Sequence, residues 1–584
     1  MEHIKMISME NESAQPPGRA TRSSLACAPC RYKHLRCDGK KPTCSRCTVD
    51  RKECVYHASR RRGNPRQKHS QESSTTTTTV SDGSPSSILE DQRYFDRPSP
   101  VALNSNNAEL SQTNPESILL GLYYEFFHAA HPCVLPRQFL NAYANQRAIQ
   151  PLLLVLNHIG SLFTSSTSSD PLYQEIQGYL IGIRNRTRSI TGFDVQAVLL
   201  FSIAIYWCNE PDAGVELVDE AIRLALELGM NRREYANENC QNDPILAESW
   251  RRTWWQIYIT DAHIAGSAHK FPFRCSHIEV TVDLPCEEHD YESGIIPRPR
   301  TLQEYDNREF FSDDEVGFSS YAELVGLTRG IDQALSPGAT SDVRLYSLMC
   351  SNSDTSVTAW HSLLPNSKRN ILRADGTVDE VMFKAEFIMH TYTVEIHRPM
   401  SSLAYSTIES ISRCAPLAPS DGFNCSNSAE RQLHTMKCLA AIDKLQYLLT
   451  LPTNITTHSP FIICMLANVT IAHLSGCRFV LEGKKRAQCR EKIRLTMGTL
   501  KRLSNHWTLG KRTYREIGII AREILCLIEK SPTTAPDPLL VPSFATSAAD
   551  LSSLELIPGP EFDFCTFFDS SITGAMEETR QLVL

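Results

Sequence analysis

Cys27-Ala28-Pro29-Cys30, Cys37, Cys44-Ser45-Arg46-Cys47 and Cys54 place six cysteines in the pattern C-x2-C-x6-C-x6-C-x2-C-x6-C. The unit C-x2-C-x6-C therefore occurs twice, with six residues between the copies. A C-x2-C pair is the spacing by which a short chain wraps two thiolates around one tetrahedral zinc. Two such ions need four ligands each, and no histidine stands at a matching position in either copy. The simplest completion lets two thiolates bridge both metals, and the symmetry of the repeat assigns the bridge to the first cysteine of each half, Cys27 and Cys44. Six thiolates and two Zn²⁺ carry a formal charge of −2, with Arg31, Lys33, Arg36, Lys40, Lys41 and Arg46 close by in sequence. With every slot taken by sulfur the metal is expected to be structural, because a catalytic zinc keeps a position open for water. Leu25, Leu35, Val49 and Val55 are too few for an apolar core, so folding and zinc binding are expected to be one event.

Charge divides along the chain. Residues 20–68 hold fourteen Lys/Arg against three Asp/Glu, a local net of +11, whereas all 584 residues sum to −7. The remainder thus carries −18. A basic head on an acidic body fits a nucleic-acid-binding end joined to a protein-interaction body. The N-terminal residues lack the apolar core of a secretory leader, which argues against a disulfide framework for the six cysteines. The other fourteen cysteines, Cys133, Cys208, Cys240 and Cys464 among them, lack C-x2-C spacing and are expected to be free, buried thiols of a reducing compartment. The longest apolar runs, Val195–Trp207 and Phe461–Leu474, fall short of the ~20 residues of a membrane span, so a soluble intracellular protein is expected.

Composition sets five segments. Residues 1–21 are polar and expected to be disordered, and residues 22–62 contain the cluster, with helices expected over Cys30–Cys37 and Cys47–Cys54. Residues 63–115 read as a flexible linker with a basic start, poor in apolar side chains and including Thr75–Thr79. Arg60, Arg61 and Arg62 suit a phosphate-contacting arm and a nuclear-import signal alike. No a/d heptad occurs between Arg60 and Pro115, so any homodimer would form without an evident coiled coil. Residues 116–530 are patterned for helices. Val195–Trp207 is apolar on all sides, and Val218, Ala221, Ile222, Ala225 and Leu228 form a stripe ended by Gly229, a helix-stop signal. Glu248–Ala265 sets Arg251 and Arg252 opposite Trp254, Ile257 and Tyr258. Ile278–Val282 is a candidate short strand, and long loops are expected near 292–315 and 335–375. Trp254, Trp255, Tyr258 and Asp261 could line a pocket, but an aromatic stripe at this spacing reads first as core. Residues 531–584 form a disordered acidic and aromatic tail in which Phe562, Phe564, Phe567 and Phe568 alternate with Glu561, Asp563 and Asp569. Such a segment suits capture by a transcriptional coactivator; a tail docked on the helical body is the competing reading.

The text Cys30-Arg31-Tyr32-Lys33-His34-Leu35-Arg36-Cys37-Asp38-Gly39, with Lys41-Pro42-Thr43-Cys44 in the joining loop, resembles the fungal six-cysteine binuclear zinc cluster that binds DNA. In the body, Asp194-Val195-Gln196-Ala197, Ala221 to Met230, Arg251-Arg252-Thr253-Trp254-Trp255, His397-Arg398-Pro399, His458-Ser459-Pro460-Phe461 and Ala521-Arg522-Glu523 resemble the all-α middle region of the same family. The second half is loosely similar to regulators of a single biosynthetic gene cluster. The resemblance implies a small zinc-stabilised cluster domain and a large all-α regulatory domain joined by a disordered linker. It also implies a nuclear, sequence-specific transcription factor of RNA polymerase II genes that recognises CGG-type triplets. Base contacts align with Lys33 and His34, the latter standing where relatives commonly carry lysine. Arg31, Arg36, Arg46, Arg51 and Lys52 are placed as phosphate clamps. The expected partners are double-stranded DNA and coactivators, with no membrane. A zinc-cluster repressor, or a zinc module for protein or RNA, is the alternative. Catalysis is not expected, since H-E-x-x-H, P-loop, G-x-S-x-G and G-x-G-x-x-G patterns are all missing.

Overall fold

The computed structural model describes residues 27, 30, 37–38, 40–51, 54, 115–166, 168–308, 317–335, 340–419 and 427–525. They belong to two compact units, residues 1–105 and 106–584. The first contains a short helix, α1 (Ser45–Val49). It opens earlier than the Cys47 start expected from sequence and has ended by Asp50, because the Cys44 sulfur accepts the Cys47 backbone N–H at 3.4 Å and so caps the first turn.

The described residues of the second unit are mostly helical, and among them the only β pairing is two isolated bridges, Leu284 with Arg300 and Leu372 with Val378. Its long helices are α2 (Pro115–Phe126), α3 (Gln150–Ser161), α4 (Asp170–Arg184), α5 (Gly192–Trp207), α6 (Pro211–Leu228) and α7 (Pro244–Ser267). There follow α8 (Ser320–Leu335), α9 (Val343–Leu363), α10 (Glu380–His397), α11 (Ser428–Leu448), α12 (Ile462–Phe479), α13 (Gly483–Leu503) and α14 (Thr508–Ile524). Helix α5 is the central rod. All of its residues are buried, and it packs on α3, α6, α7 and α14. Its start is fixed by a capping box in which Asp194 accepts from the Thr191 backbone N–H at 2.8 Å, while Arg188 neutralises the buried carboxylate. Helix α6 ends at Gly229, whose φ of +76° is the left-handed conformation that glycine tolerates; Met230 then donates its N–H to Ala225 O at 2.9 Å. On the other side α10 packs on α8, α11 and α12, and α12 on α13 and α14. Helix α12 has the length and apolar composition to cross a membrane, but its apolar faces are spent on these contacts and it lies inside the core.

Several expectations are corrected. Arg251 and Arg252 form no exposed face: both are buried, as are Trp254, Ile257 and Tyr258, because α7 is enclosed on every side and the arginines pair with buried Glu248. The stripe itself is core, with Trp255 Nε1 donating to Asp283 O at 2.9 Å and Asp261 accepting from Cys275 N at 2.8 Å. Within the region 335–375, Val343–Leu363 form helix α9. Its run Ser351-Asn352-Ser353-Asp354-Thr355-Ser356 reads as loop, yet Asp342 caps the helix through Arg344 N at 2.8 Å, and Met349, Cys350 and Trp360 are buried. Ile278–Val282 is not a strand; Thr281 and Val282 instead donate their N–H groups to the single carbonyl of Asn231 at 3.0 and 3.1 Å. Cys414 and Cys464 are not free thiols but a disulfide, their Cα atoms being 5.1 Å apart, within the range a disulfide spans.

Helices α2 and α3 approach so closely that a Cβ on Gly160 would overlap the Leu119 carbonyl. Backbone cannot swing aside as a side chain would. Gly160→Ala is therefore expected to destabilise the helical unit by about 1–3 kcal/mol, read as a lower denaturation midpoint. Gly178→Ala, which meets nothing within 4 Å, is the control and should leave the midpoint unchanged or slightly raised.

Candidate metal centre and nucleic-acid interface

Within the first unit the six cysteines converge although they span 27 to 54. Cys27 Sγ lies 3.6 Å from Cys44 Sγ, 3.6 Å from Cys47 Sγ and 3.8 Å from Cys37 Sγ, while Cys30 Sγ lies 3.7 Å from Cys44 Sγ. Cys44 N donates to Cys54 Sγ at 3.3 Å. An S···S edge of a tetrahedral zinc site with Zn–S near 2.3 Å measures about 3.8 Å. The sulfurs therefore already stand at the separations that a thiolate-bound zinc requires, and the residues present fit the metal. Cys27, Cys30, Cys44 and Cys47 are buried and Cys37 and Cys54 half-buried, so the centre is closed to water on most sides. Cys27 has neighbours from both halves of the repeat, Cys37 from its own and Cys47 from the other.

Two hydrogen-bonded devices hold this arrangement. The Cys47 N–H lowers the pKa of the Cys44 thiol below its ordinary value, whereas burial raises that of Cys47 to about 12. Zinc binding must therefore displace protons held by buried thiols, so its strength falls in acid. Asp38 supplies the second device. Its carboxylate accepts from the Ser45 hydroxyl at 2.5 Å and the Ser45 N–H at 3.2 Å, tying the residue after Cys37 to the residue after Cys44. The Ser45 hydroxyl, with its backbone N–H, holds the Asp38 carboxyl below the usual carboxylate range. In the sequence Asp38 and Ser45 show only as an acid beside one cysteine and a hydroxyl beside another, and the fold is what joins them.

The cationic coat is only partly in view. Lys40, Lys41, Arg46 and Arg51 are exposed around the thiolates. Arg31, Lys33, His34, Arg36, Lys52, Arg60, Arg61 and Arg62 lie outside the described residues, as do Phe562, Phe564, Phe567 and Phe568 of the tail.

Comparison with known proteins agrees with this geometry. Residues 25–63 match the fungal Zn(2)-Cys(6) binuclear cluster domain, and residues 120–363 the fungal specific transcription factor domain. The C6 finger domain transcription factor iacK of Pestalotiopsis fici is 30% identical over 561 residues, spanning 85% of this chain and 80% of that protein. Other similarities are confined to short stretches. Transcription factor lfc1 of Flammulina velutipes is 50% identical over 36 residues, covering 6% of this chain and 13% of its own. Transcription activator ACTTR of Alternaria alternata is 41% identical over 49 residues, covering 8% and 11%. No solved structure matches the chain significantly. A repeat of thiolates spaced for zinc, a basic surface beside it, a helical body and a relative similar over most of its length together place this chain among the fungal Zn(2)-Cys(6) transcription factors, zinc-binding and DNA-binding regulators rather than enzymes.

Proposed function

We propose that the protein is a nuclear activator of RNA polymerase II genes that reads CGG-type triplets through a cluster of two zinc ions bridged by Cys27 and Cys44. The observation that supports the bridged cluster is the crowding of sulfurs around those two atoms, with Cys27 within 3.8 Å of partners from both half-repeats. Bound zinc supplies the cross-links that a module with almost no apolar core lacks. Lys33 and His34 are the proposed base readers in the major groove, where lysine donates to guanine O6 and N7. His34 offers fewer donors and a charge that varies near neutral pH. Arg31, Arg36, Arg46, Arg51 and Lys52, with Arg60, Arg61 and Arg62, grip phosphates and set the register without specifying sequence.

Selection of bound sequences from random duplex DNA by the full-length protein tests this reading. Enrichment of CGG triplets at a fixed spacing is expected; a pool that stays random refutes sequence-specific readout. Affinity for the selected site should also fall on the order of 10³-fold between 50 and 200 mM salt, as counterions released from six or more phosphates demand. A flat response would mean that the basic coat does not face the backbone.

The activating role rests on the tail. Its sequence sets four phenylalanines among three acids, apolar area that a coactivator would bury. Residues 531–584 fused to an unrelated DNA-binding domain should switch on a reporter. Replacing Phe562, Phe564, Phe567 and Phe568 by alanine should remove more of that activity than converting Glu561, Asp563 and Asp569 to amides. A silent fusion, with deletion of the tail destabilising the whole protein, would make the segment a docked structural element, and a fall in reporter output would make the protein a repressor. A pathway-specific gene set, such as a secondary-metabolite cluster, is the proposed target class, supported by the similarity to iacK over most of both chains.

A further inference from the structure

We propose that the helical body carries a metal site of its own, a zinc(II) centre built from Cys350, His397 and His434 and supported by Asp354, separate from the six-cysteine cluster. The three donors come from three helices, Cys350 on α9, His397 at the end of α10 and His434 on α11. All three side chains are buried, and their donor atoms lie within 4.8 Å of one another. One sulfur and two imidazole nitrogens form the borderline-soft set that suits zinc and not the oxygen-seeking magnesium or calcium.

The second shell is also in place. His397 Nε2 lies 3.0 Å from Asp354 Oδ1, so the carboxylate holds the ring proton on Nε2 and leaves the Nδ1 lone pair turned inward. That Nδ1 is 2.8 Å from His434 Nδ1. In a tetrahedral zinc site two nitrogens stand about 3.3 Å apart, so loading asks the rings to part by about half an ångström. Asp354 is set one turn beyond Cys350 on α9 and is steadied by Lys437. A water completes the fourth position.

A histidine–histidine–carboxylate hydrogen-bond chain would account for the two rings and Asp354. It takes no account of the buried thiol that stands within 4.8 Å of a nitrogen of each ring. Cys350 now donates its S–H to Ile396 O at 3.4 Å. On loading, the S–H bond breaks, the sulfur binds Zn²⁺ and one proton leaves to solvent, while the His434 proton passes from Nδ1 to Nε2 through water so that Nδ1 can bind, with no change of oxidation state. The thiolate and the Asp354 carboxylate together balance the dication, so the set is formally neutral before Lys437 is counted. The centre would pin α9, α10 and α11 to one another, where polar text on α9 leaves the apolar contact thin.

Metal content of the full-length protein decides the matter, after dialysis against buffer holding free zinc at nanomolar concentration. The proposal rests on the cluster reading only for the first two ions, so the arms separate them. Wild type should hold three zinc per chain, Cys350→Ser and His434→Gln two each with DNA binding retained, and Cys44→Ser one. Two zinc in wild type, or three that neither body variant reduces, overturns the site. Loss of the cluster reading alone would show instead as an unchanged content in Cys44→Ser. Far-UV circular dichroism confirms folding of each variant, and should either fail to fold, the wild-type count still decides.

Discussion

Cys44→Ser is expected to abolish DNA binding altogether, whereas Lys33→Ala should leave a weakened but measurable complex. The difference follows from what each residue holds. Cys44 Sγ lies within 3.7 Å of both Cys27 and Cys30 and receives the Cys47 N–H that starts α1. A serine there removes a thiolate from both metals in the bridged arrangement and the cap from the helix, and the module has no apolar core on which to fall back. Lys33→Ala deletes a single base contact, worth about 1–3 kcal/mol, or roughly 5- to 150-fold in affinity. Zinc release and a mobility-shift titration on the same preparations check both. A Cys44→Ser protein that keeps its full zinc content and binds normally would sink the bridged cluster.

Removing Arg252 should be the most damaging single change in the helical body, at about 3–5 kcal/mol of stability. Its guanidinium is fully buried and meets Glu248 at 2.9 Å, Glu288 at 2.5 Å, Pro132 O at 3.1 Å and Cys286 O at 3.0 Å, and it stacks over the Tyr291 ring at 4.0 Å. Arg252→Met conserves volume but strands those acceptors in the core, so the loss comes from uncompensated polar groups rather than from a cavity. Denaturant unfolding monitored by tryptophan fluorescence reads the change, since Trp250, Trp254 and Trp255 share the helix.

The same network gives a pH dependence. Burial opposes ionisation of Glu248, but Arg251 and Arg252 outweigh it and hold the carboxyl below its usual 4.5. A depressed carboxyl contributes stability that is complete above its unfolded value and disappears as pH falls through the folded one. Wild type should therefore lose this contribution only in acid below about pH 4.5. In Arg252→Met burial acts with one arginine fewer to oppose it, so the folded pKa rises toward the unfolded one, and the acid-dependent loss should be smaller and complete at higher pH than in wild type. Identical acid-unfolding curves would mean that Glu248 does not depend on Arg252.

The sequence by itself determined what is set by local spacing. Metal ligation demands cysteines at fixed short intervals, so the whole thiolate set was legible in 28 residues, Cys27 to Cys54. Helix α5 was legible because an all-apolar run can only be interior, and the end of α6 because Gly229 alone in its stripe accepts a positive φ. The all-α class followed from the period of the apolar positions. The tertiary structure decided where charge is buried and which distant residues meet. Arg251 and Arg252 read as a polar face because nothing local reveals that Cys286 and Glu288, more than thirty residues on, will close over Arg252. Helix α9 hides behind its serines, threonines and Asn352, its cap resting on Asp342. Cys414 and Cys464, 50 residues apart, pair only because the fold brings their Cα atoms to 5.1 Å. Cys350, His397 and His434 share no motif, and only the packing of three helices gathers them into one buried cluster. Short-range geometry is written in the order of the residues, whereas the environment of a buried polar group is set by segments that the chain reaches much later.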